Sequence, residues 1–166
     1  MVEDITHQSS ARTGEELSAL YEIKTVLASS RDLQESAIQV LATLSSRLAM
    51  KRGTITLRDP ASGELAIQVS HGLSQKEQAR GRYRIGEGIT GKVFETGKPI
   101  VVPDLRADRR FLNRTGARTA VVGQQLSFLA VPIKVHGETL GVLGVDRLFP
   151  GDPGSFDEDL RVLSIV

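Results

Sequence analysis

Apolar residues recur at helical spacing in two stretches near the beginning of the chain. The first stretch follows T-G-E-E at residues 13–16, which has the composition of a capping box. The second follows Asp32, a suitable N-cap with Glu35 three residues later. These patterns predict two amphipathic helices with a short break at residues 29–31. The polar residues 1–12 before them are predicted to be a disordered arm.

The apolar period then changes from helical spacing to alternation. Apolar and polar residues alternate in residues 53–59 and 64–72, on either side of the turn-forming sequence D-P-A-S-G. The same pattern returns in residues 127–135 and 139–148, around a turn at residues 136–138. Two β-hairpins with one buried face each are therefore predicted, and hairpins build antiparallel sheets.

Shorter elements are predicted between the hairpins and after the second one. Residues 105–125 have no clean period and are predicted to form an irregular loop with helical turns. S-F-D-E at residues 155–158 has the composition of a capping box and predicts a last helix, whose pattern is still running at the end of the chain. The remaining predicted elements are a short helix at 74–79, a short strand at 80–85, a short helix at 89–96 ended by Gly97, and a strand at 99–104.

The sequence G-E-G-I-T-G at residues 86–91 matches the dinucleotide-binding pattern G-x-G-x-x-G. That pattern needs a buried parallel strand before it, a long helix after it and repeated βαβ units. Residues 80–85 instead carry arginine where a central parallel strand carries valine or isoleucine. The glycines are therefore predicted to serve the backbone, by allowing positive φ and close approach of the loop to the sheet.

The composition excludes several classes of chemistry. The chain has 166 residues and no cysteine, which excludes disulfides, thiolate metal ligands, a thiol nucleophile and thioether attachment of a chromophore. The three histidines lack ligand spacing, so no metal site is predicted. No apolar run is long enough to span a bilayer and the N-terminus has no apolar signal region, so a cytoplasmic location is expected.

The net charge is only +1, but the charges are unevenly distributed. Residues 80–118 contain eight arginines and two lysines against four acids, nearly half of the chain's 21 basic residues. Such a run is commonly a solvated basic face, and the alternative is a site for a small anion. Solvation or helix capping explains the four acids better than a catalytic acid pair does. No catalytic residue is predicted.

Two stretches of the sequence resemble a GAF domain, the small-molecule-sensing module of many signalling proteins. They are G-E-G-I-T-G-K-V-F-E-T-G-K-P-I-V-V-P-D at residues 86–104 and A-V-P-I-K-V-H-G-E-T-L-G-V-L-G-V at residues 130–145. R-Y-R-I-G-E-G-I-T-G-K-V, F-L-N-R-T-G, S-F-L-A-V-P-I-K and G-V-D-R-L-F resemble more narrowly the N-terminal regulatory GAF domain of nif-specific, nitrogen-fixation transcriptional activators of the bacterial enhancer-binding class. The resemblance covers about residues 33–166.

This resemblance implies an α+β fold, in which an antiparallel sheet of about six strands has the terminal helices on one face and short helices and loops over the other. The length of the chain and the pattern still running at its end predict a single domain at residues 13–166 with a truncated C-terminal helix. The ligand pocket is expected under a roof formed by residues 85–125, which include most of the arginine-rich stretch. Phytochrome-like and methionine-sulfoxide-reducing members use cysteines that this chain lacks. Nothing in the sequence specifies a purine.

Family analogy suggests 2-oxoglutarate as the ligand. A dicarboxylate of that size needs a cation able to form two hydrogen bonds, polar donors and an apolar wall that excludes water. At least one of Arg84, Arg110 and Arg114 is expected to line the pocket, and Arg110 is the preferred one. The predicted ligand residues are Arg84, Arg110 and Arg114 for carboxylates, Thr90 and Ser127 as hydroxyl donors, and Phe111 and Phe128 as the apolar wall.

The expected function is that of a non-enzymatic sensor domain, which binds a small anionic metabolite and controls a downstream ATPase domain. The alternative is a protein-interaction and dimerisation module, whose empty pocket receives an inhibitory regulatory protein. The first and last helices are predicted to form the seam of a homodimer, and the competing explanation is that their apolar residues are intramolecular core. No cofactor, metal, nucleic acid or membrane is expected to be bound by this domain.

Overall fold

The computed structural model describes the backbone of residues 2–29, 32–118, 125–149, 151 and 154–166, and the side chains of these residues except 2–10, 28 and 29. The helices are α1 (Val2–Ser29), α2 (Leu33–Leu48), α3 (Gln75–Arg80), α4 (Gly88–Thr96) and α5 (Ser155–Ile165). The strands are β1 (Met50–Arg58), β2 (Leu65–His71), β3 (Arg82–Tyr83), β4 (Ile100–Val102), β5 (Leu126–Val135) and β6 (Glu138–Leu148).

The six strands form one antiparallel sheet in the order β3-β2-β1-β6-β5-β4. The two predicted hairpins, β1–β2 and β5–β6, lie side by side because β1 pairs with β6 at the centre of the sheet. The second hairpin closes through His136 (φ 51°) and Gly137 (φ 85°), and two positive φ values are typical of the tight turn that matches strand twist. The predicted antiparallel sheet of about six strands is confirmed.

Helices α1, α2 and α5 cover one face of this sheet. Their core consists of buried aliphatic side chains from both layers, among them Leu41 of α2, Leu129 of β5 and Leu163 of α5. Helix α2 begins as predicted, because the side chain of Asp32 accepts a hydrogen bond from the backbone amide of Gln34 at 2.8 Å. The first face of the sheet is therefore a helical layer with its own core.

The opposite face carries a second, smaller core. Helix α4 packs there through Ile89 and Val93, in one cluster with Phe128 and Val142 of the sheet. Residues 105–118 lie on the same side as turns without a regular helix, as predicted, whereas residues 119–124 of the predicted loop lie outside the described residues. The predicted arrangement of terminal helices on one face and short elements over the other is confirmed.

The structure of the N-terminus differs from the prediction. Residues 2–12, predicted to be a disordered arm, are part of helix α1, so no helix starts at the predicted capping box of residues 13–16. Long-range ion pairs override the local signal, because Arg12 donates from Nη2 to Asp159 Oδ1 at 2.9 Å and lies 3.0 Å from Glu158 Oε2. The break predicted at residues 29–31 includes the last residue of α1, and residues 30 and 31 lie outside the described residues.

The capping box predicted at residues 155–158 is also absent. Gly154 occupies the N-cap position of α5, and Ser155 is already the first helical residue. A glycine has no side chain with which to cap, so the S-x-x-E spacing begins one residue too late to act as a capping box.

Candidate functional site

A small pocket lies on the second face of the sheet, below α4 and residues 111–118. Its volume is about 10 Å³, which is room for about one water molecule. Hydroxyl and amide groups, apolar side chains and one guanidinium group line it. The apolar and aromatic members are Ile67, Tyr83, Ile89, Phe111, Leu112 and Phe128.

Arg118 supplies the guanidinium group in this pocket, and only 7% of its side chain is exposed. Its Nε and Nη2 atoms donate to the carboxylate of Asp146 at 2.7–2.9 Å. Its Nη1 atom donates to Thr115 Oγ1 at 3.2 Å. The guanidinium carbon also lies 5.1 Å from the ring centroid of Phe111 and 5.4 Å from that of Phe128. Arg118 is therefore held by an ion pair, a hydrogen bond and two cation–π contacts.

Asp146 is the buried acid of the site. It lies on the central strand β6, opposite Phe128 of β5, and is 0% exposed. Arg52 of β1 also approaches it, with Nη1 at 3.4 Å from Oδ2. The Tyr83 hydroxyl adds no negative charge, because burial raises its pKa above the ordinary value of 10. Two guanidinium groups thus share one carboxylate, and the cluster has a net positive charge that favours a further anion.

Uncharged polar groups complete the lining. Thr54, Thr56, Thr90 and Thr115 also line the pocket. Asn113 has a left-handed backbone (φ 45°), and its buried Oδ1 atom has no hydrogen-bond partner within the described part of the chain. An unpaired buried acceptor is costly, and a rotation of this amide by about 180° presents its NH₂ donors to the same space. The site therefore offers neutral donors as well as a cation.

The residue after Asp146 faces the other side of the sheet. Arg147 forms an ion pair with the buried Asp159 of α5, which Arg12 of α1 also contacts at 2.9 Å. Side chains alternate along a strand, so β6 places an acid among the cations of the pocket and a cation among the acids of the helical layer. Asp146 and Arg147, which are neighbours on β6, therefore form ion pairs on opposite faces of the sheet.

Three of the predicted ligand residues line the pocket, namely Thr90, Phe111 and Phe128. The rings of Phe111 and Phe128 lie 5.7 Å apart between centroids and form an apolar wall. Ser127 does not line the pocket, because it is fully buried and its Oγ donates to the backbone oxygen of Pro103 at 2.7 Å. Adjacent strand residues face opposite sides, so Ser127 and Phe128 do not share a face.

The three predicted arginines lie outside the pocket, and the expectation that at least one of them lines it is wrong. Arg110 is 57% exposed and pairs with Asp108, with Nη2 at 2.6 Å from Oδ2. Asp108 also accepts the backbone amide of Arg110 at 2.9 Å, and this local turn keeps the guanidinium at the surface. Arg114 is exposed and pairs with Glu87, and Arg84 is exposed as well.

The four acids of the basic stretch at residues 80–118 each pair with one of its ten basic residues. Side-chain hydrogen bonds from neighbouring arginines lower the pKa of Asp104 and of Asp108 below the ordinary value of 3.8. The excess of positive charge in the sequence therefore does not make an anion site by itself. The ion pairs are Arg106–Asp104, Arg110–Asp108, Lys92–Glu95 and Arg114–Glu87.

Sequence reasoning missed Arg118 and Asp146. Arg118 belongs to the counted basic stretch, but an irregular segment has no period from which its direction can be read. Asp146 left a clearer signal, because it follows Val142 and Gly144 on one face of a central apolar strand. A buried carboxylate there requires a cation on the same face.

The glycine motif acts through the backbone, with the predicted positive φ values, although the close contact is between helix α4 and the loop before it and not with the sheet. Gly86 (φ 81°) and Gly88 (φ 61°) adopt left-handed conformations. Gly91 is needed for space, because a Cβ atom there would lie well within 3.0 Å of the backbone oxygen of Arg84. The prediction against a dinucleotide-binding fold is confirmed by the antiparallel sheet, which contains no βαβ unit among the described strands.

The fold is an antiparallel α+β module, and the chain belongs to the GAF domain family, whose model matches residues 32–166. The Nif-specific regulatory protein of Herbaspirillum seropedicae is 46% identical over 151 residues, which cover 91% of this chain and 28% of that protein. The nitrogen fixation protein VnfA of Azotobacter vinelandii is 40% identical over 152 residues, covering 90% of this chain and 29% of that protein. The chain thus spans roughly a quarter of the length of the curated relatives it matches. The resemblance to nitrogen-fixation activators is confirmed.

Solved structures agree with this assignment. The GAF domain of nlh2 from A. aeolicus in an inactive state superposes with a TM-score of 0.82 at 30% identity, covering 93% of this chain and 91% of that one. Free methionine-R-sulfoxide reductase from Neisseria meningitidis, in complex with its substrate, has a TM-score of 0.71 at 23% identity, covering 90% of this chain and 84% of that one, and so shares the fold alone.

None of the helices among the described residues combines the length and the apolar character that a membrane span requires. In the same part of the chain, no three His, Cys, Asp or Glu side chains are grouped so as to hold a metal ion.

Proposed function

We propose that this GAF domain is a non-enzymatic sensor, which binds a small carboxylate metabolite such as 2-oxoglutarate in the pocket around Arg118. In the longer protein, its occupancy would control an ATPase domain and so regulate nitrogen-fixation genes. The regulatory part of the proposal is supported by relatives that are named Nif-specific regulatory proteins. The observation that carries the ligand class is the buried guanidinium of Arg118, which contacts the rings of both Phe111 and Phe128.

The chemistry of the lining suits a carboxylate. Arginine offers two parallel donors that match the two carboxylate oxygens, and exclusion of water by Phe111 and Phe128 strengthens the pairing. The hydroxyl groups of the pocket and the amide of Asn113 are suited to donate to a keto oxygen or to a second carboxylate. No nucleophile or general base is arranged with a partner among the described lining residues, which favours binding over catalysis.

Binding requires the pocket to open. A cavity of about 10 Å³ holds about one water molecule, whereas 2-oxoglutarate has ten heavy atoms. Residues 111–118, including the side chain of Arg118, therefore have to move as the ligand enters. A ligand that prefers the open roof shifts the equilibrium between the two arrangements, which is the property that a sensor needs.

Calorimetry with matched arginine variants tests this proposal. 2-Oxoglutarate should bind the wild type, and Arg118→Gln should weaken binding by about 10- to 100-fold, the usual effect of losing a hydrogen bond to a charged group. Arg110→Gln is the control, since Arg110 lies in an exposed ion pair. Succinate and cyclic GMP are the comparison ligands. Absence of heat from all three ligands at millimolar concentration would reject the sensor, and equal binding by Arg118→Gln would reject the site.

A second function is supported by exposed apolar side chains on the terminal helices. Leu17 and Tyr21 lie one turn apart on α1, and they are 63% and 75% exposed. Ile165 of α5 is 69% exposed. Such a surface suits a homodimer seam or an inhibitory regulatory protein. Sedimentation at micromolar concentration should give a dimer that Leu17→Glu dissociates, and a wild-type monomer would remove the homodimer from this proposal.

A further inference from the structure

The ion pair between Arg118 and Asp146 occupies the hydrogen-bonding edge that a carboxylate ligand would use. Asp146 accepts from both Nε and Nη2 of the guanidinium, which is the two-bond geometry that arginine offers to a carboxylate. The cation that the proposed function needs is therefore already engaged by an acid of the same chain. A ligand carboxylate has to compete with that acid.

The second cation of the cluster makes such a competition physically reasonable. A buried carboxylate that loses its partner is strongly destabilised. Asp146 has Arg52 as a second partner, 3.4 Å away, so it remains paired when Arg118 leaves. Arg118 in turn gains the carboxylate of the ligand. The exchange therefore leaves no buried charge without a partner, and the added negative charge balances the net positive cluster.

The surroundings of Arg118 determine which group moves. Asp146 lies on the central strand β6 and is completely buried. Arg118 lies instead in a segment of turns outside the sheet, and its guanidinium is at the end of a long side chain. Three residues earlier the segment is anchored, where Arg80 donates to the backbone oxygen of Thr115 at 2.6 and 3.0 Å. The guanidinium of Arg118 is thus the movable half of the pair, and the acid on β6 is the fixed half.

We infer that Asp146 is a built-in competitor of the ligand: a carboxylate binds this domain by taking the place of Asp146 on the guanidinium of Arg118, while Arg52 retains Asp146. This inference rests on the proposed function, because it names the step by which the same pocket accepts its ligand. Asp146 therefore determines how tightly a carboxylate must bind Arg118 in order to displace it, although Asp146 does not contact the ligand.

Asp146→Asn tests the exchange with 2-oxoglutarate as the probe. The variant keeps the volume of the side chain and removes the competing charge, so 2-oxoglutarate should bind at least about tenfold more tightly than to the wild type. Asp108→Asn is the matched control, because it makes the same change in an exposed arginine pair, and its affinity should equal that of the wild type. If the wild type binds and Asp146→Asn binds equally or more weakly, the inference is overturned while the proposed function stands.

Asp146→Ala with acetate tests the exchange without the proposed metabolite. Acetate at ten times its dissociation constant should raise the Tm of this variant by about 3–6 °C, measured against chloride at equal ionic strength. The wild type and Asp108→Ala should show no such shift. If 2-oxoglutarate binds neither the wild type nor Asp146→Asn, 2-oxoglutarate is rejected as the ligand, and the acetate experiment alone decides whether the exchange occurs. Equal acetate shifts in the three proteins then overturn the exchange. If Asp146→Ala does not fold, the same acetate comparison is made with Asp146→Asn and Asp108→Asn.

Discussion

Gly91→Ala adds one methyl group where the chain packs backbone against backbone. A Cβ atom at Gly91 would lie well within 3.0 Å of the Arg84 oxygen, and at 3.1 Å from the Gly86 nitrogen. Real Cβ atoms essentially never come as close to a heavy atom as the first of these contacts. The neighbours are backbone atoms that cannot rotate aside, so the loop before α4 has to move.

The expected change in the free energy of unfolding is the sum of one stabilising effect and two destabilising effects. Replacement of glycine by alanine in an open helix stabilises by up to about 1 kcal/mol. Overpacking usually costs about 1–3 kcal/mol, and loss of the hydrogen bond from the Gly86 amide to the Gly91 oxygen, 2.9 Å long, costs about 1 kcal/mol. We expect a net loss of about 1–3 kcal/mol in the free energy of unfolding, which corresponds to a Tm lower by about 2–10 °C.

Urea denaturation followed by circular dichroism measures this difference. Gly14→Ala is the matched control, because it makes the same substitution inside α1, where a Cβ atom has no heavy atom within 4 Å. That variant should be stabilised by up to about 1 kcal/mol, so the two substitutions should change stability in opposite directions. A Gly91→Ala protein as stable as the wild type would refute the close approach of loop and helix.

Three further predictions concern the same loop and the helical layer. Gly88→Ala should lower the free energy of unfolding in urea by about 1–2 kcal/mol because φ is 61°, and equal stability would contradict the left-handed assignment. A hydrogen bond from the Arg84 amide lowers the pKa of Glu87 below 4.5, so its stabilisation is complete above that pH and is lost as the pH falls through the folded-state pKa. Glu87→Gln should therefore flatten the decline of Tm in acid, and parallel curves for variant and wild type would refute this. Arg12→Gln should lower the free energy of unfolding by about 1–2 kcal/mol and speed amide hydrogen exchange in α1, because the hydrogen bond to buried Asp159 is lost. Unchanged exchange rates would show that this contact does not stabilise α1.

Periodic segments were predicted well from the sequence. The hairpins and α2 followed from alternation, helical spacing and the Asp32 cap, since each is a local pattern whose buried face is fixed by the period. The beginning of α1 was missed, because residues 2–12 have no apolar stripe and Arg12 is held by partners 146 and 147 residues away, in Glu158 and Asp159. Ion pairs at that separation leave no local pattern in a single sequence.

Two of the three predicted residues that line the pocket lie on regular elements, and the third, Phe111, lies in a turn segment. Phe128 on β5 and Thr90 on α4 were placed correctly, because strand alternation and helix position fix their direction. The arginines lie in turns, where a single aspartate two residues earlier is enough to hold Arg110 at the surface. Arg118 has no such neighbour at that spacing and turns inward to Asp146. The excess of basic residues at 80–118 indicated the correct segment, but it could not show which arginine stays at the surface and which turns inward.

The opposite charges on neighbouring residues of β6 also protect the register of the sheet. Residues 141–145 are glycine, valine or leucine, and both faces of this strand pack into apolar cores, so the apolar pattern alone would tolerate a slip by one residue. Such a slip would turn Arg147 toward Arg118 and Asp146 toward Asp159. Like charges would then meet in both buried layers at once. A misregistered hairpin is therefore penalised on either side of the sheet, whatever its aliphatic residues contact.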